Sequence, residues 1–280
     1  MFLVAIMAQF HRVRIWPLPA WLDWQRLLGP GSWNQRELAS GGLELEANLD
    51  RAQAADLEAR LHGVGLGGQK LHLEITPKLH RSDVRKARLE EARRYRQGSV
   101  GFSKSGVVLD DETRRFLTPQ ALALQLGEKA KELRVIDACC GAGGNAIGFA
   151  RAGCTVTAIE IDGRRLQAAQ HNASVYGVAN RITFIAGDAT EIVPELQADL
   201  LFVDPPWGER YNTVRMTLEE LPPLSTLVQR STHIAQLWAK VPPSFDPATV
   251  PDCAAQAYFG VGAGDDRRVK FLLLTLRRPC

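Results

Sequence analysis

The strongest constraint on this chain is a rhythm that starts near residue 99 and runs through its C-terminal two thirds. LRVIDACCG, CTVTAIEID, RITFIAGD and DLLFVDPP are short apolar runs, each closing on acids, glycines or prolines. Helical stretches, GGNAIGFARAG and GRRLQAAQHNASVYG, separate the first three, and the short ATEIVPELQ precedes the fourth. Strands that alternate with helices predict βαβ units and a parallel sheet. LWAKVPPSF, AAQAYFGVGAG and VKFLLLTLRR supply three further strands. Open sheets of this kind bind ligands beyond the carboxyl ends of their strands, where these acids and glycines sit.

DACCGAGGNA (137–146) contains Gly141-x-Gly143-x-x-Ala146, the glycine spacing of a nucleotide-binding turn between strand and helix. The pattern is weak by itself. Asp137, four residues before Gly141, narrows it: an acid there attracts an amine, whereas it would repel a pyrophosphate at the same turn. S-adenosylmethionine carries an ammonium and a sulfonium and no phosphate. Glu160, ending the second strand, stands where an acid accepts from a ribose diol. Asp188, in GDA after the third strand, is placed to accept from an adenine amino group. Any one of these acids alone reads as a solvated loop carboxylate; three at successive strand ends, with the glycine turn, point to a site. Cys139, Asn145 and Ala189 adjoin these positions and complete the candidate cofactor contacts. The expected fold is therefore α/β, a Rossmann-like S-adenosylmethionine-dependent methyltransferase sheet with a smaller N-terminal α+β region.

The fourth strand leads into LLFVDPPWGERY (200–211), in which an apolar run stops at Asp204, two prolines and Trp207. Proline cannot donate to a sheet ladder, and it holds the preceding residue in extended geometry. The bland reading is a strand stop with a core tryptophan. The chemical reading starts from the exocyclic amine of a base, whose lone pair is delocalised into the ring. The Asp204 carboxylate and the Pro205 carbonyl can each accept one amino proton and direct that lone pair at a methyl donor. Trp207 offers a stacking face, worth about 1–3 kcal/mol for a base. Positioning alone can supply about 7–11 kcal/mol of a barrier, so no strong base is required.

VIDACCGAGGNAIGFARAG, AIEIDGRRLQAAQHNASVYGVANRITFIAGD and FVDPPWG resemble the catalytic domain of the trimethylguanosine synthase family, which methylates N2 of guanosine in capped RNA. The resemblance begins at GVVLDDETRRFLTPQALA and, through LWAKVPPSFDPATV, reaches to about residue 280. It implies that Asp137, Gly141, Gly143, Glu160 and Asp188 bind the cofactor, that Thr118-Pro119 closes over its methionine end, and that Trp207 stacks on guanine. The family carries Ser where this chain has Asp204. Asp-Pro-Pro-aromatic is closer to bacterial guanine-N2 and adenine-N6 methyltransferases, a pattern that points to amino methylation and leaves the RNA open.

The formal net charge of +3 conceals its distribution. PKLHRSDVRKARLEEARRYRQ (77–97) holds eight Lys/Arg against three Asp/Glu, a balance of +5, so the remainder sums to −2. Rich in Ala, Arg and Glu and free of Gly and Pro from Ser82 to Tyr95, the segment predicts a helix. Such a helix reads either as a solvated face or as an RNA contact through Arg85, Arg88, Arg93 and Arg94, whose planar forks suit phosphate. Upstream, LDRAQAADLEARLHG predicts a helix with Gly63 as its C′ residue, and KLHLEIT a strand. RIWPLPAWLDWQRLLGPGSW holds Trp16, Trp21, Trp24 and Trp33, which read as a satellite core. The expected division is a 1–98 region, with RNA binding as its candidate role, and a 99–280 methyltransferase domain.

Five cysteines without a C-x-x-C pair, and scattered histidines without H-E-x-x-H, give no support to a disulfide framework or a metal centre and favour a reducing, cytoplasmic setting. The apolar opening MFLVAIMAQF has no basic residue before it and is too short to span a bilayer, so it reads as a buried strand or a start-site artefact, with a signal peptide as the lesser alternative. The reading is a monomeric RNA guanine-N2 methyltransferase with no membrane partner. Adenine-N6 or protein glutamine methylation shares the logic of residues 204–207. A non-catalytic RNA-binding scaffold leaves Asp204 and Trp207 without purpose, and an NAD oxidoreductase fits only the glycines.

Overall fold

The computed structural model describes residues 10–208 and 211–278; the strand expected in the first nine residues lies outside them. The N-terminal unit is built on β1 (His11–Leu18), which buries Val13, Ile15 and Leu18 and turns Arg12 and Arg14 outward. After α1 (Trp24–Leu28) come β2 (Asn34–Glu37) and β3 (Leu43–Leu49), whose Leu45, Ala47 and Leu49 are buried. Helix α2 (Arg51–Leu61) opens on an Asp50/Gln53 capping box and is followed by Gly63 at φ +73°, the C′ geometry its sequence predicts. A small hairpin, β4 (Gly65–Leu66) and β5 (Gln69–Lys70), leads to β6 (His72–Thr76) and the basic helix α3 (Arg81–Tyr95), which packs on α2.

The sheet order is β2-β3-β1-β6, antiparallel throughout. Its outer face carries cross-strand pairs, Arg12–Glu46 at 2.7 Å and Arg14–Glu74 at 2.8 Å. Strand β1 was hidden in the sequence by its Trp-Pro composition. Trp24 and Trp33 pack against the core, Trp16 stacks on His72, and Trp21 stays exposed, so the tryptophans form no single cluster.

The second sheet follows α4 (Asp111–Phe116) and α5 (Gln120–Lys129). Its first half is β7 (Arg134–Ala138), α6 (Gly144–Arg151), β8 (Thr155–Glu160), α7 (Gly163–Tyr176) and β9 (Ile182–Ala186). The second half is α8 (Ala189–Ile192), β10 (Leu200–Val203), α9 (Pro222–Arg230), β11 (Gln236–Val241), β12 (Cys253–Phe259) and β13 (Val269–Arg277). The strand order is β12-β13-β11-β10-β7-β8-β9, with β9 to β11 parallel and β13 antiparallel to both its neighbours. The order reverses between β7 and β10, and an open α/β sheet offers its ligand crevice at that switch point. This is the Rossmann-like α/β sheet that the sequence predicts.

Both faces of the central strands are buried, which is why β7, β8, β10 and β11 read as continuous apolar runs rather than alternating ones. Leu201, Val203, Leu237 and Leu272 face a core continuous with the N-terminal unit; Leu200, Phe202, Phe271 and Leu273 face the opposite layer. Main-chain bonds add to the junction: Gly65 N donates to Thr213 O at 3.1 Å and Gly67 N to Pro243 O at 2.9 Å. A Cβ at Gly65 would lie 2.0 Å from the Val214 carbonyl oxygen. Only glycine permits that approach.

Candidate active site

At the switch point the backbone leaves β7 through Cys139 at φ +64°, a left-handed geometry that costs a non-glycine residue about 1–3 kcal/mol. Gly141 (φ +55°) and Gly143 (φ +87°) continue the turn, and Gly143 caps α6. A Cβ on Gly144 would lie 2.6 Å from Leu117 Cδ1, so the glycine admits the α4–α5 link onto the turn. Glu160 secures it from the end of β8, accepting from Gly141 N at 2.8 Å and from Asp162 N at 3.0 Å. Asp188 caps α8, its Oδ1 accepting from Thr190 N and Oγ1, both at 2.8 Å.

These elements enclose a cavity of 310 Å³. Cys139, Gly141, Asn145, Glu160, Asp188 and Ala189 line one side, Asp204, Pro205 and Trp207 another, and Thr118 a third. Four carboxylates (Glu112, Glu160, Asp188 and Asp204) face two cations, Arg165 and Lys240. Both cations are already committed, Arg165 to Asp110 and Glu112 and Lys240 to Asp204. The cavity is thus net negative. Thr118 Oγ1 and Asn145 Oδ1 are buried there without a hydrogen-bond partner.

Asp137 and Gly143 do not line the cavity. Asp137 is fully buried just before the turn, and both of its oxygens lack a partner. Burial, and then the charge of Asp204, push its carboxyl well above the usual carboxylate range. The Ala146 backbone N–H opposes that rise without reaching hydrogen-bonding geometry. Unsatisfied acceptors beside an acidic wall fit a cationic, amine-bearing ligand such as S-adenosylmethionine and would repel a pyrophosphate.

Residues 132–236 match the sequence model of a family described as RNA cap guanine-N2 methyltransferase, a span that builds the glycine turn, the three strand-end acids and Asp204. Over this segment the chain is similar to that methyltransferase family. Trimethylguanosine synthase of Schizosaccharomyces pombe is 36% identical over 113 residues, covering 37% of this chain and 47% of the relative. Ribosomal RNA small subunit methyltransferase J of Rhodopseudomonas palustris is 37% identical over 115 residues, covering 38% and 52%. The chain thus spans about half the length of these relatives. A methyltransferase from Agrobacterium tumefaciens superposes with a TM-score of 0.46 at 16% identity, over 64% of this chain and 69% of that one.

Within the matched segment, Asp204 follows β10, beside the end of β7. Its Oδ2 receives Asn145 Nδ2 at 2.9 Å and Lys240 Nζ at 2.8 Å. Its Oδ1 has no hydrogen-bond partner among the described residues. Burial raises the Asp204 carboxyl above its ordinary range, against the opposing pull of Lys240 and Asn145. The half-buried Trp207 donates from Nε1 to the Lys240 carbonyl at 3.4 Å and meets Tyr211 edge-on at 5.7 Å.

Lys240 is the residue that sequence reasoning missed. It is 3% exposed, donates also to Phe116 O at 3.1 Å, and places its ammonium 5.1 Å from the Trp207 ring centre. It therefore ties together the acid, the aromatic and the segment leading to Thr118. The available signal was a lone lysine inside the apolar strand LWAKV. Pro119 precedes α5 and lines an adjoining cavity rather than this one.

The four arginines of the basic helix divide. Arg85, Arg88 and Arg93 are exposed, with no ion-pair partner among the described residues. Arg94 is bound to Asp56 and Glu91 and ties α3 to α2, which leaves it less free for a phosphate than its sequence suggests. None of the four lines the cofactor cavity. Among the described residues no group of His, Cys, Asp and Glu could hold a metal ion, and no helix is long and apolar enough to cross a membrane.

Proposed function

We propose that this chain methylates an exocyclic amino group of a base in RNA, N2 of guanosine, using S-adenosylmethionine. The observation that carries the reading is the state of Asp204. Its Oδ2 is occupied by Asn145 and Lys240, while Oδ1 is left as an acceptor at the cavity wall. The Pro205 carbonyl is a second acceptor without an intramolecular partner among the described residues. Two acceptors on adjacent cavity-lining residues match the two protons of an amino group. Trp207 supplies the stacking face for the ring that carries it.

When bound, S-adenosylmethionine supplies an electrophilic methyl group. Asp204 Oδ1 and the Pro205 carbonyl hold the two amino protons, which localises the nitrogen lone pair. The Asp204 charge offsets the positive charge that develops on nitrogen, and its carboxylate accepts the proton released after transfer. Lys240 and Asn145 hold Asp204 in place and favour its ionised form against the pull of burial. The exposed Arg85, Arg88 and Arg93 add phosphate contacts that orient RNA without choosing a base. Residues 1–98 act as an RNA-binding unit beside a catalytic domain of residues 99–280.

The test is nucleoside mass spectrometry of RNA from cells with and without the gene, paired with transfer from labelled S-adenosylmethionine to RNA by the purified protein. Loss of N2-methylguanosine with the gene, and its formation in vitro, is expected. N6-methyladenosine in its place would overturn the guanine assignment. Unchanged transfer by Asp204→Asn would overturn the site.

A further inference from the structure

The cofactor cavity shares a wall with a second cavity, of 490 Å³, and the two are opposite in sign. Leu117, Thr118, Trp207 and Lys240 line both. The second is bounded by the N-terminal unit, through the loop after α2 and through Tyr95 at the end of α3. Arg60, Arg115, Lys240, Arg267, Arg268 and Lys270 line it against one acid, Glu91. Lys240 is committed to Asp204, Arg268 to Glu91 and Lys270 to Asp265. Arg115 and Arg267 have no partner among the described residues. Arg60 is held by Asp56, yet its Nη2 is buried without an acceptor.

The same cleft is rich in aromatic rings. Tyr95, half exposed, lies under the Arg268 guanidinium at 4.5 Å and the Lys270 ammonium at 5.2 Å. Tyr95 and Tyr211, one from each unit, line the same space. Surplus positive charge with aromatic faces suits a planar anion. The volume lies within the range of small-molecule sites, about 300–1,000 Å³.

We propose that this cleft holds the nucleotide that is methylated, as a purine nucleoside 5′-phosphate unit, and that the N-terminal unit forms one wall of the site. The base lies at Trp207, where its amino group reaches Asp204, and the phosphate lies toward Arg60, Arg115 and Arg267. The inference rests on the base-methylation reading above. It adds that substrate binding requires both units, through Tyr95 as well as Trp207.

The test is calorimetric titration of the full chain, saturated with S-adenosylhomocysteine, with four probes: guanosine, GMP, adenosine and AMP. GMP should bind at least about tenfold more tightly than guanosine, because charge-assisted bonds to the phosphate are added. Arg115→Ala/Arg267→Ala should remove that increment and leave guanosine within about twofold. Tyr95→Ala should weaken guanosine and GMP alike, by about tenfold. Tyr95→Leu provides a second variant, and an unchanged affinity for S-adenosylhomocysteine reports that each variant is folded.

Equal binding of GMP and guanosine by the wild type, or an unaltered increment in the double arginine variant, overturns the phosphate assignment. Unchanged binding in both folded Tyr95 variants removes the N-terminal wall. If AMP and adenosine show the increment while GMP is refused, the cleft stands and the guanine reading falls. If no probe binds while RNA is still methylated in a Trp207-dependent manner, the cleft falls and the functional reading stands.

Discussion

Replacing Lys240 by methionine keeps most of the side-chain volume and removes the ammonium that lies 2.8 Å from Asp204 Oδ2. Only 4% of the lysine side chain and 16% of the aspartate side chain are exposed, so solvent screens the pair weakly. Breaking a buried pair by removing one partner costs about 3–5 kcal/mol, because a charge is left uncompensated. The aspartate avoids that cost by taking up a proton. Each 1.36 kcal/mol is a factor of ten in ionisation, so the acid dissociation constant of Asp204 should fall by about two to four decades. The Asp204 carboxyl already sits above its ordinary range, and losing Lys240 removes the largest influence holding it down. The acid limb of the rate should therefore move to higher pH, with activity recovering as pH rises. Single-turnover methyl transfer at saturating cofactor, followed across pH, measures this. A lysine that acted only as packing would lower the rate equally at every pH. An acid limb coincident with that of wild type refutes the reasoning.

Asp137→Asn should flatten the dependence of melting temperature on pH in the cofactor-free protein. A carboxyl whose folded value is raised contributes stability below its unfolded value, about 3.9, and loses it as pH rises through the folded value. A wild-type melting temperature independent of pH across that window would refute the account. Gly65→Val should destabilise the junction of the two units by about 1–3 kcal/mol or more, since its Cβ would meet the Val214 carbonyl at 2.0 Å. Denaturant melts read the loss, and an unaffected melt would show that the loop yields freely. Arg85→Ala/Arg88→Ala/Arg93→Ala should reduce the slope of log RNA affinity against log salt by about two, at 0.7 per single-strand phosphate contact. An unchanged slope removes α3 from RNA binding. Arg94→Ala should instead lower stability, because it leaves Asp56 with one cation fewer.

The sequence by itself determined the α/β sheet and the position of its ligand crevice. Both follow from local signals: apolar runs too short for helices, glycines where the backbone turns left-handed, and prolines that end a strand at Asp204. Local signals act over a few residues, so they survive in one dimension. The same holds for the end of α2, where Gly63 announces the C′ position. Strand β1 escaped because Trp16 and Pro17 obscure its alternation, and its partners lie about 30 and 60 residues away.

Only the tertiary structure decided what each charged side chain is free to do. Arg93 and Arg94 are neighbours in sequence, yet Arg94 is spent on Asp56, 38 residues away, while Arg93 faces solvent. Asp137 reads as a cavity acid but is buried short of the cavity surface. Lys240 reads as an ordinary strand residue, and it becomes the partner of Asp204 because parallel β10 and β11 bring residues 36 apart to 2.8 Å. The physical reason is common to all three. Propensity and periodicity are properties of neighbouring residues, whereas the state of a charge depends on which distant group removes its water and supplies its partner.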